Sequence, residues 1–165
     1  MSDRKHAILS ASGAHRWIEC PPSARLEQQF PDEQSAYAEE GTIAHELAET
    51  RLRQALGEKV RLSPRVTRSP YYGEAMEGHI ADYVTLVMER IAAHRERTPD
   101  TLIMFEQQLD FSQWVPEGFG TGDVVIISDH ALEIIDLKYG QGVKVDAVGN
   151  PQLRLYGLGA YGTYG

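Results

Sequence analysis

Asp123, Asp136 and Lys138 carry the densest chemical signal in the chain. They sit at one end of an otherwise apolar hairpin of Val124, Val125, Ile126, Ile127, Ile134, Ile135 and Leu137, whose strands Asp129–His130 would join by a short turn. An even-numbered turn centred on that pair sets Ser128 opposite Ala131 and Asp123 opposite Asp136. Directly opposed residues of an antiparallel pair share a face, with Cβ atoms about 4.5–5.5 Å apart. Lys138, two residues beyond Asp136, shares that face too. Two carboxylates so placed destabilise a sheet unless a cation lies between them. A hard divalent ion suits the position, because Mg²⁺ takes oxygen from one or two carboxylates, waters and substrate phosphates. Such an ion acidifies water, polarises a phosphoryl oxygen and offsets transition-state charge. Lys138 would steer the attacking water or stabilise the pentacovalent phosphorus. The rival reading is two solvated hairpin acids, one of them paired with Lys138.

His45 lies in the segment Gly41-Thr-Ile-Ala-His45-Glu-Leu-Ala-Glu49. On a helix His45 and Glu49 share a face, offset from the stripe of Ile43 and Leu47. A neutral imidazole is a common metal ligand, usually oriented through its second nitrogen. An exposed or core-satisfied histidine fits the same spacing.

These residues need elements to hold them. Apolar residues recur at three- and four-residue spacing over 35–56, and again over 74 to about 97 through Met76, Ile80, Val84, Val87 and Ile91. Both segments are expected to be helical, with a shorter helix over 13–20. Pro64 and Pro70 mark 59–72 as a loop. The period then falls to two: strands are expected over 102–109, 123–128 and 131–138, with a short extension at 143–145. Gly120 and Gly122 are expected to let the backbone turn tightly before Asp123. Asn150–Pro151 reads as a cap and first position of a last helix carrying Gln152, Leu153, Leu155 and Tyr156. The order is helix, helix, three strands, helix, an α/β or α+β layered domain.

The bulk composition sets limits. The 165 residues carry a formal charge of −8, with 42% hydrophobic and 24% charged residues, ordinary for one globular domain. Seven acids (Asp110, Glu117, Asp123, Asp129, Glu133, Asp136, Asp146) face only Lys138 and Lys144 between 110 and 146. That balance argues against a protein that coats nucleic acid. It suits an enzyme whose acids gather around cations. No apolar run approaches the roughly 18 residues of a spanning helix, and no secretory leader opens the chain, so no membrane association is expected. The single Cys20 fits a reducing cytoplasm. The closing run of Gly and Tyr suggests that the natural chain extends beyond Gly165, residues 1–165 then being its N-terminal part.

The ordered set Gly41-x-x-x-His45, Glu106 on a strand, Gly122-Asp123, Asp136-x-Lys138 and Gln152-x-x-x-Tyr156 resembles the RecB-like branch of the PD-(D/E)XK nuclease superfamily. CRISPR-adaptation nucleases and phage recombination exonucleases belong to that branch. Ser10-Ala-Ser12 followed by Arg16-Trp17-x-x-Cys20-Pro21 is similar to the start of an uncharacterised phage and prophage group within it. The resemblance implies a restriction-endonuclease-like core, a small mixed sheet with an antiparallel hairpin flanked by helices. It implies a Mg²⁺- or Mn²⁺-dependent deoxyribonuclease, an exonuclease in phage recombination, repair or DNA processing, within the bacterial cytoplasm. By it His45, Asp123, Asp136 and the Leu137 carbonyl are metal ligands, and Lys138 is the catalytic lysine. Gln152 and Tyr156 would face the site or the DNA, with Glu106 and Glu49 in support. Relatives with an iron–sulfur cluster use four cysteines; with Cys20 alone no cluster is expected. DNA is the expected partner, joined by a recombinase or other DNA-processing protein, and some relatives are oligomers. The alternative is a non-catalytic DNA- or recombinase-binding module that keeps the nuclease fold.

Overall fold

The apolar stripes of the two long helical segments find each other. In the computed structural model, which describes residues 7–30, 36–140 and 145–165, they form α3 (Ala36–Ala55) and α5 (Glu74–Arg97). The long helices were preceded by α1 (Ala14–Glu19) and α2 (Ser23–Glu27), and α4 (Pro64–Thr67) lies between them. Ile43, Ala44, Leu47 and Ala48 of α3 pack with Met76 and Ile80 of α5 and with Val66 of α4. Fully burying side chains such as Ile43 and Leu47 is worth about 1.5–3 kcal/mol each. The loop expected over 59–72 therefore contains a helical turn. Ser63 caps it, its side chain accepting from the Val66 amide, and Pro64 starts it. The stretch after Pro21–Pro22 likewise forms α2.

Three strands follow, β1 (Leu102–Asp110), β2 (Phe119–Ser128) and β3 (Ala131–Ile135), ordered β1-β2-β3 in one antiparallel sheet. Among the described residues the sheet is not mixed, contrary to expectation. Its two connections, 111–118 and 129–130, are too short for the crossover that parallel strands require. The hairpin register follows the expected turn, with Ser128 opposite Ala131 and Val124 opposite Ile135. β3 then stops at Ile135, so Asp136, Leu137 and Lys138 lie just past its end rather than on it. The extension expected at 143–145 falls mainly on 143 and 144, outside the described residues, and Val145 is not in a strand.

Helices cover both faces of this sheet. Val124, Ile126, Ile103, Phe105 and Ile135 pack with Leu52 of α3 and with Val87 and Ile91 of α5. Val125, Met104, Leu109 and Ile134 pack on the opposite side with Ala14 of α1 and with Leu155, Tyr156 and Ala160 of α6 (Pro151–Tyr164). Asn150 caps α6 as expected, its side chain accepting from the Gln152 and Leu153 amides. The result is a mixed α/β architecture, a small sheet flanked by helices. No helix among the described residues is long and apolar enough to cross a membrane.

The alternation of faces slips once in each of β1 and β2. Met104 and Leu109, five residues apart, belong to the same cluster on the α6 side. A Cβ built on Gly122 would point to that side, meeting Leu109 and, three residues along, Val125. The slip falls at Glu106 and Asp123, where the ladder lapses between the pairs Phe105–Val124 and Gln107–Gly122. Glu106 takes a φ of +48°, a left-handed conformation that breaks the period of two. Holding a non-glycine residue there costs on the order of 1–3 kcal/mol.

Gly120 and Gly122 do not form a tight turn; both lie within β2. Gly120 lets α6 approach, since a Cβ there would lie 2.7 Å from Tyr156 Cε1, while Gly122 makes room for Leu109 of β1, whose Cδ1 would lie 3.0 Å from a Cβ. Glycine inside a strand commonly marks such a close approach.

A polar clamp joins α5 to the hairpin. His94 Nδ1 lies 3.0 Å from Ser128 Oγ and its Nε2 2.9 Å from Glu133 Oε2, while Arg90 Nε donates to Glu133 Oε1 at 2.8 Å. Partial burial alone would raise the Glu133 pKa, but the hydrogen bonds from Arg90 and His94 outweigh it and hold the carboxyl below its ordinary range. A carboxyl depressed in the folded state adds stability above its unfolded pKa of about 4.3. That stability disappears as pH falls through the folded value. The Tm is thus expected to drop on acidification below about pH 5, more steeply than in Glu133→Gln, as calorimetric scans at several pH values would show.

Candidate metal centre

Three elements converge at the slip. α3 brings His45, β1 brings Glu106 and β2 brings Asp123, and one donor atom from each lies within 4.8 Å of the others. The left-handed turn at Glu106 and the lapse in the ladder place Asp123 toward α3 instead of α6. His45 Nδ1 lies 3.1 Å from Asp123 Oδ1, and the Leu137 amide donates to Asp123 Oδ2 at 2.5 Å. An ionised carboxylate only accepts, so in this pair Nδ1 carries the proton. Leu137 thus meets the site through its amide, a contact that also holds the chain just past β3 against β2.

Asp136 and Lys138 stand beside this group, with contacts that run the other way. Lys138 Nζ is paired with Asp136 Oδ2. The side-chain amide of Gln152, in the first turn of α6, donates to Asp136 Oδ1 at 3.3 Å and to the Tyr156 hydroxyl at 3.1 Å. Asp123 and Asp136 therefore do not share a face as their register implied. Asp123 is held from α3 and Asp136 from α6, because the alternation slips at Asp123. The Asp136 side chain is only 6% exposed and that of Lys138 47%, which sets the acid inside and the ammonium at the rim. Tyr156 is buried in the α6 core cluster, and its hydroxyl accepts from Gln152, which also donates to Asp136.

The electrostatics match three acids and an imidazole crowded together. Loss of hydration, then repulsion from Asp123, pushes the Glu106 carboxyl up to about 7, against the attraction of His45. Glu106 as a residue is exposed, yet its carboxyl is turned toward the cleft. Burial raises Asp136 as well, with Asp123 adding to the effect and Lys138 opposing it. Burial works against a charged His45, but the Asp123 hydrogen bond and the neighbouring acids win and hold it above its ordinary value. Groups in a cleft perturbed by both burial and specific charged partners form the pattern of a candidate functional site.

A small cavity opens against the group, lined by His45, Ala48, Glu49, Leu52, Tyr83, Glu106, Asp123 and Leu137. Glu49 lies on its wall as the shared helix face implied, but its carboxylate is taken by Arg53, whose Nε donates at 2.9 Å. Arg53 in turn lies over the Phe105 ring, 5.3 Å from its centroid. Tyr83 of α5 is the member that sequence reading passed over. It falls three residues after Ile80 and four before Val87, on the buried stripe, where its polar tip is the available signal. Burial, then Asp123, Asp136 and Glu106, push its pKa far upward, so it stays a neutral donor.

The seven acids between 110 and 146 divide among several tasks. Asp123 and Asp136 belong to the site, Glu133 to the clamp on α5, and Asp110 accepts from the Ser112 amide at 2.7 Å. Cys20 is exposed and unpaired. Trp17 packs against the α6 cluster and donates to the Ser10 carbonyl at 2.8 Å.

The family model described as protein of unknown function (DUF2800) matches residues 6–165, nearly the whole chain. The chain belongs to the DUF2800 family. The match takes in every element of this DUF2800 domain, from α1 to α6, and each residue of the site. No solved structure matches the chain.

Proposed function

We propose that this DUF2800 protein is a divalent-metal-dependent deoxyribonuclease with a restriction-endonuclease-like core of the RecB-like PD-(D/E)XK type. The observation that carries the reading is the convergence of His45, Glu106 and Asp123 donors within 4.8 Å, beside the Asp136–Lys138 pair. Imidazole and carboxylate together suit Mn²⁺, and carboxylate oxygen suits Mg²⁺. The donor set fits such an ion: three sequence-distant side chains meet at a strained strand position, next to a buried hydroxyl without a partner. His45, Glu106 and Asp123 would hold it, with Asp136 and the Leu137 carbonyl as further ligands. A bound ion would lower the pKa of water and polarise a phosphoryl oxygen.

The chain's own residues supply the rest. Gln152 and Lys138 fix the Asp136 carboxylate from two directions. Lys138, half-exposed at the rim, presents an ammonium to an incoming phosphodiester and stabilises charge growing on its oxygens. The Leu137 amide and His45 lock Asp123, so the site is preorganised by the fold. The restricted basic surface, with a net charge of −8, fits an enzyme that holds DNA locally or through a partner such as a recombinase. An exonuclease in phage recombination or repair, within a bacterial host's cytoplasm, is the setting the motif order supports.

The test is cleavage of end-labelled linear single- and double-stranded DNA with Mg²⁺, Mn²⁺ or EDTA. Metal-dependent cutting is expected, reduced about 10²-fold or more in Lys138→Ala, the scale seen when one transition-state charge partner is removed. A ladder of products growing from the ends would establish exonuclease action. A folded protein that binds Mn²⁺ yet cuts no DNA would overturn the enzymatic reading and leave a binding module.

A further inference from the structure

Among the described residues three buried side-chain oxygens have no hydrogen-bond partner: Ser23 Oγ, Thr98 Oγ1 and the Tyr83 hydroxyl. Only the last of them lines the cavity beside His45, Glu106 and Asp123. A buried hydroxyl without a partner is costly, and natural structures seldom keep one without a use. The nearby acids do not supply the partner. Glu49, Glu106 and Asp123 all line the cavity, yet none of them hydrogen-bonds to the Tyr83 hydroxyl. What is missing is a partner inside the cavity itself, which has room for about one water-sized group.

We propose that Tyr83 is a positioning residue of the cation site, its hydroxyl oxygen accepting from a hydration water of a divalent ion held by His45, Glu106 and Asp123. This inference rests on the metal-binding reading above and adds an outer contact to it. The geometry favours the role. Tyr83 packs against both the α3–α4 cluster and the sheet cluster. Its hydroxyl is therefore fixed by the fold before any ion arrives. A phenol also matches the chemistry: its oxygen accepts from an ion-polarised water without adding negative charge that would compete as a ligand. Outer contacts of this kind orient the inner donors and typically govern metal affinity by about 10–100-fold.

The decisive comparison is the wild-type chain with Tyr83→Phe, using Mn²⁺ alone as the probe, by titration calorimetry and by thermal unfolding with and without the ion. Tyr83→Phe should bind Mn²⁺ about tenfold more weakly, and its Mn²⁺-induced rise in Tm should shrink accordingly. Its Tm without the ion should equal or exceed that of the wild type, because the orphaned hydroxyl is gone. A structural role would give the opposite pattern, a lower ion-free Tm with Mn²⁺ affinity unchanged, and would overturn the proposal. Equal affinity and equal Tm in the two proteins would also overturn it while leaving the metal site intact. A wild-type chain that binds no Mn²⁺ would overturn both this proposal and the metal-dependent reading beneath it.

Discussion

On the metal-dependent nuclease reading proposed above, Asp123→Asn should lose Mn²⁺-dependent stabilisation and DNA cleavage together while the protein still folds. The substitution keeps the shape and one acceptor oxygen, so either the His45 contact or the Leu137 contact can persist. The cost to folding is that of one weakened hydrogen-bonding pair, about 1–2 kcal/mol. The cost to function is larger, because the neutral amide removes the negative charge nearest to His45 and Glu106. Loss of an inner oxygen donor should lower Mn²⁺ affinity by more than the roughly 10–100-fold of an outer contact, and cleavage should fall at least as far. Circular dichroism, calorimetric titration with Mn²⁺ and the end-labelled cleavage assay measure the three quantities separately. Wild-type Mn²⁺ affinity in Asp123→Asn would remove Asp123 from the ligand set.

Gly120→Val is expected to damage the protein by another route. A single Cβ at this position would lie 2.7 Å from Tyr156 Cε1 and 3.4 Å from the Ala11 methyl. Tyr156 cannot swing away easily, since it is 4% exposed and buried among α1, α6 and the sheet. Valine adds two further methyl groups to that contact. Overpacking of this kind typically costs about 1–3 kcal/mol, which for a chain of this size lowers Tm by roughly 2–4 °C per kcal/mol. The displacement should also move Gln152, the partner of both Tyr156 and Asp136. Activity measured well below the new Tm should therefore fall as well. Unchanged thermal stability would mean that α6 does not press on β2 as closely as described.

Much of the scaffold was legible because it depends on local periodicity. The stripe from Met76 to Ile91 defined α5, and Asn150–Pro151 marked the start of α6. The Asp129–His130 pair set the hairpin register, Ser128 opposite Ala131. The gathering of residues was legible in part: His45 and Asp123 do come together, but with Glu106, expected only in support, where Asp136 was expected, and Lys138 pairs with Asp136, a contact the rival reading also contained. Its geometry was not. Extrapolating the strand alternation through residue 123 put both aspartates on one face, and nothing local signals that a glutamate at 106 will take a positive φ. Gly120 and Gly122 were misread for a related reason. A glycine demanded by a side chain distant in sequence, Tyr156 of α6 for Gly120 and Leu109 of β1 for Gly122, looks in sequence like one demanded by a turn. Ser63–Pro64 did carry a helix-start signal, but the proline was read only as a breaker. Tyr83 was hidden among core residues because a tyrosine on an apolar stripe usually means packing.

The left-handed glutamate has a consequence for how this protein would change under selection. Residue 106 is a place where resistance to heat and retention of the carboxylate pull in opposite directions. Glycine adopts that φ freely, so a population screened only for surviving high temperature would drift toward glycine there, shedding strain and the acid in one step. A population required to keep the carboxylate would have to gain its robustness elsewhere, in the helical layers or the α5 clamp. Position 106 thus acts as a fork, where variant frequencies under each regime would reveal whether heat tolerance or the acid is what the protein must keep.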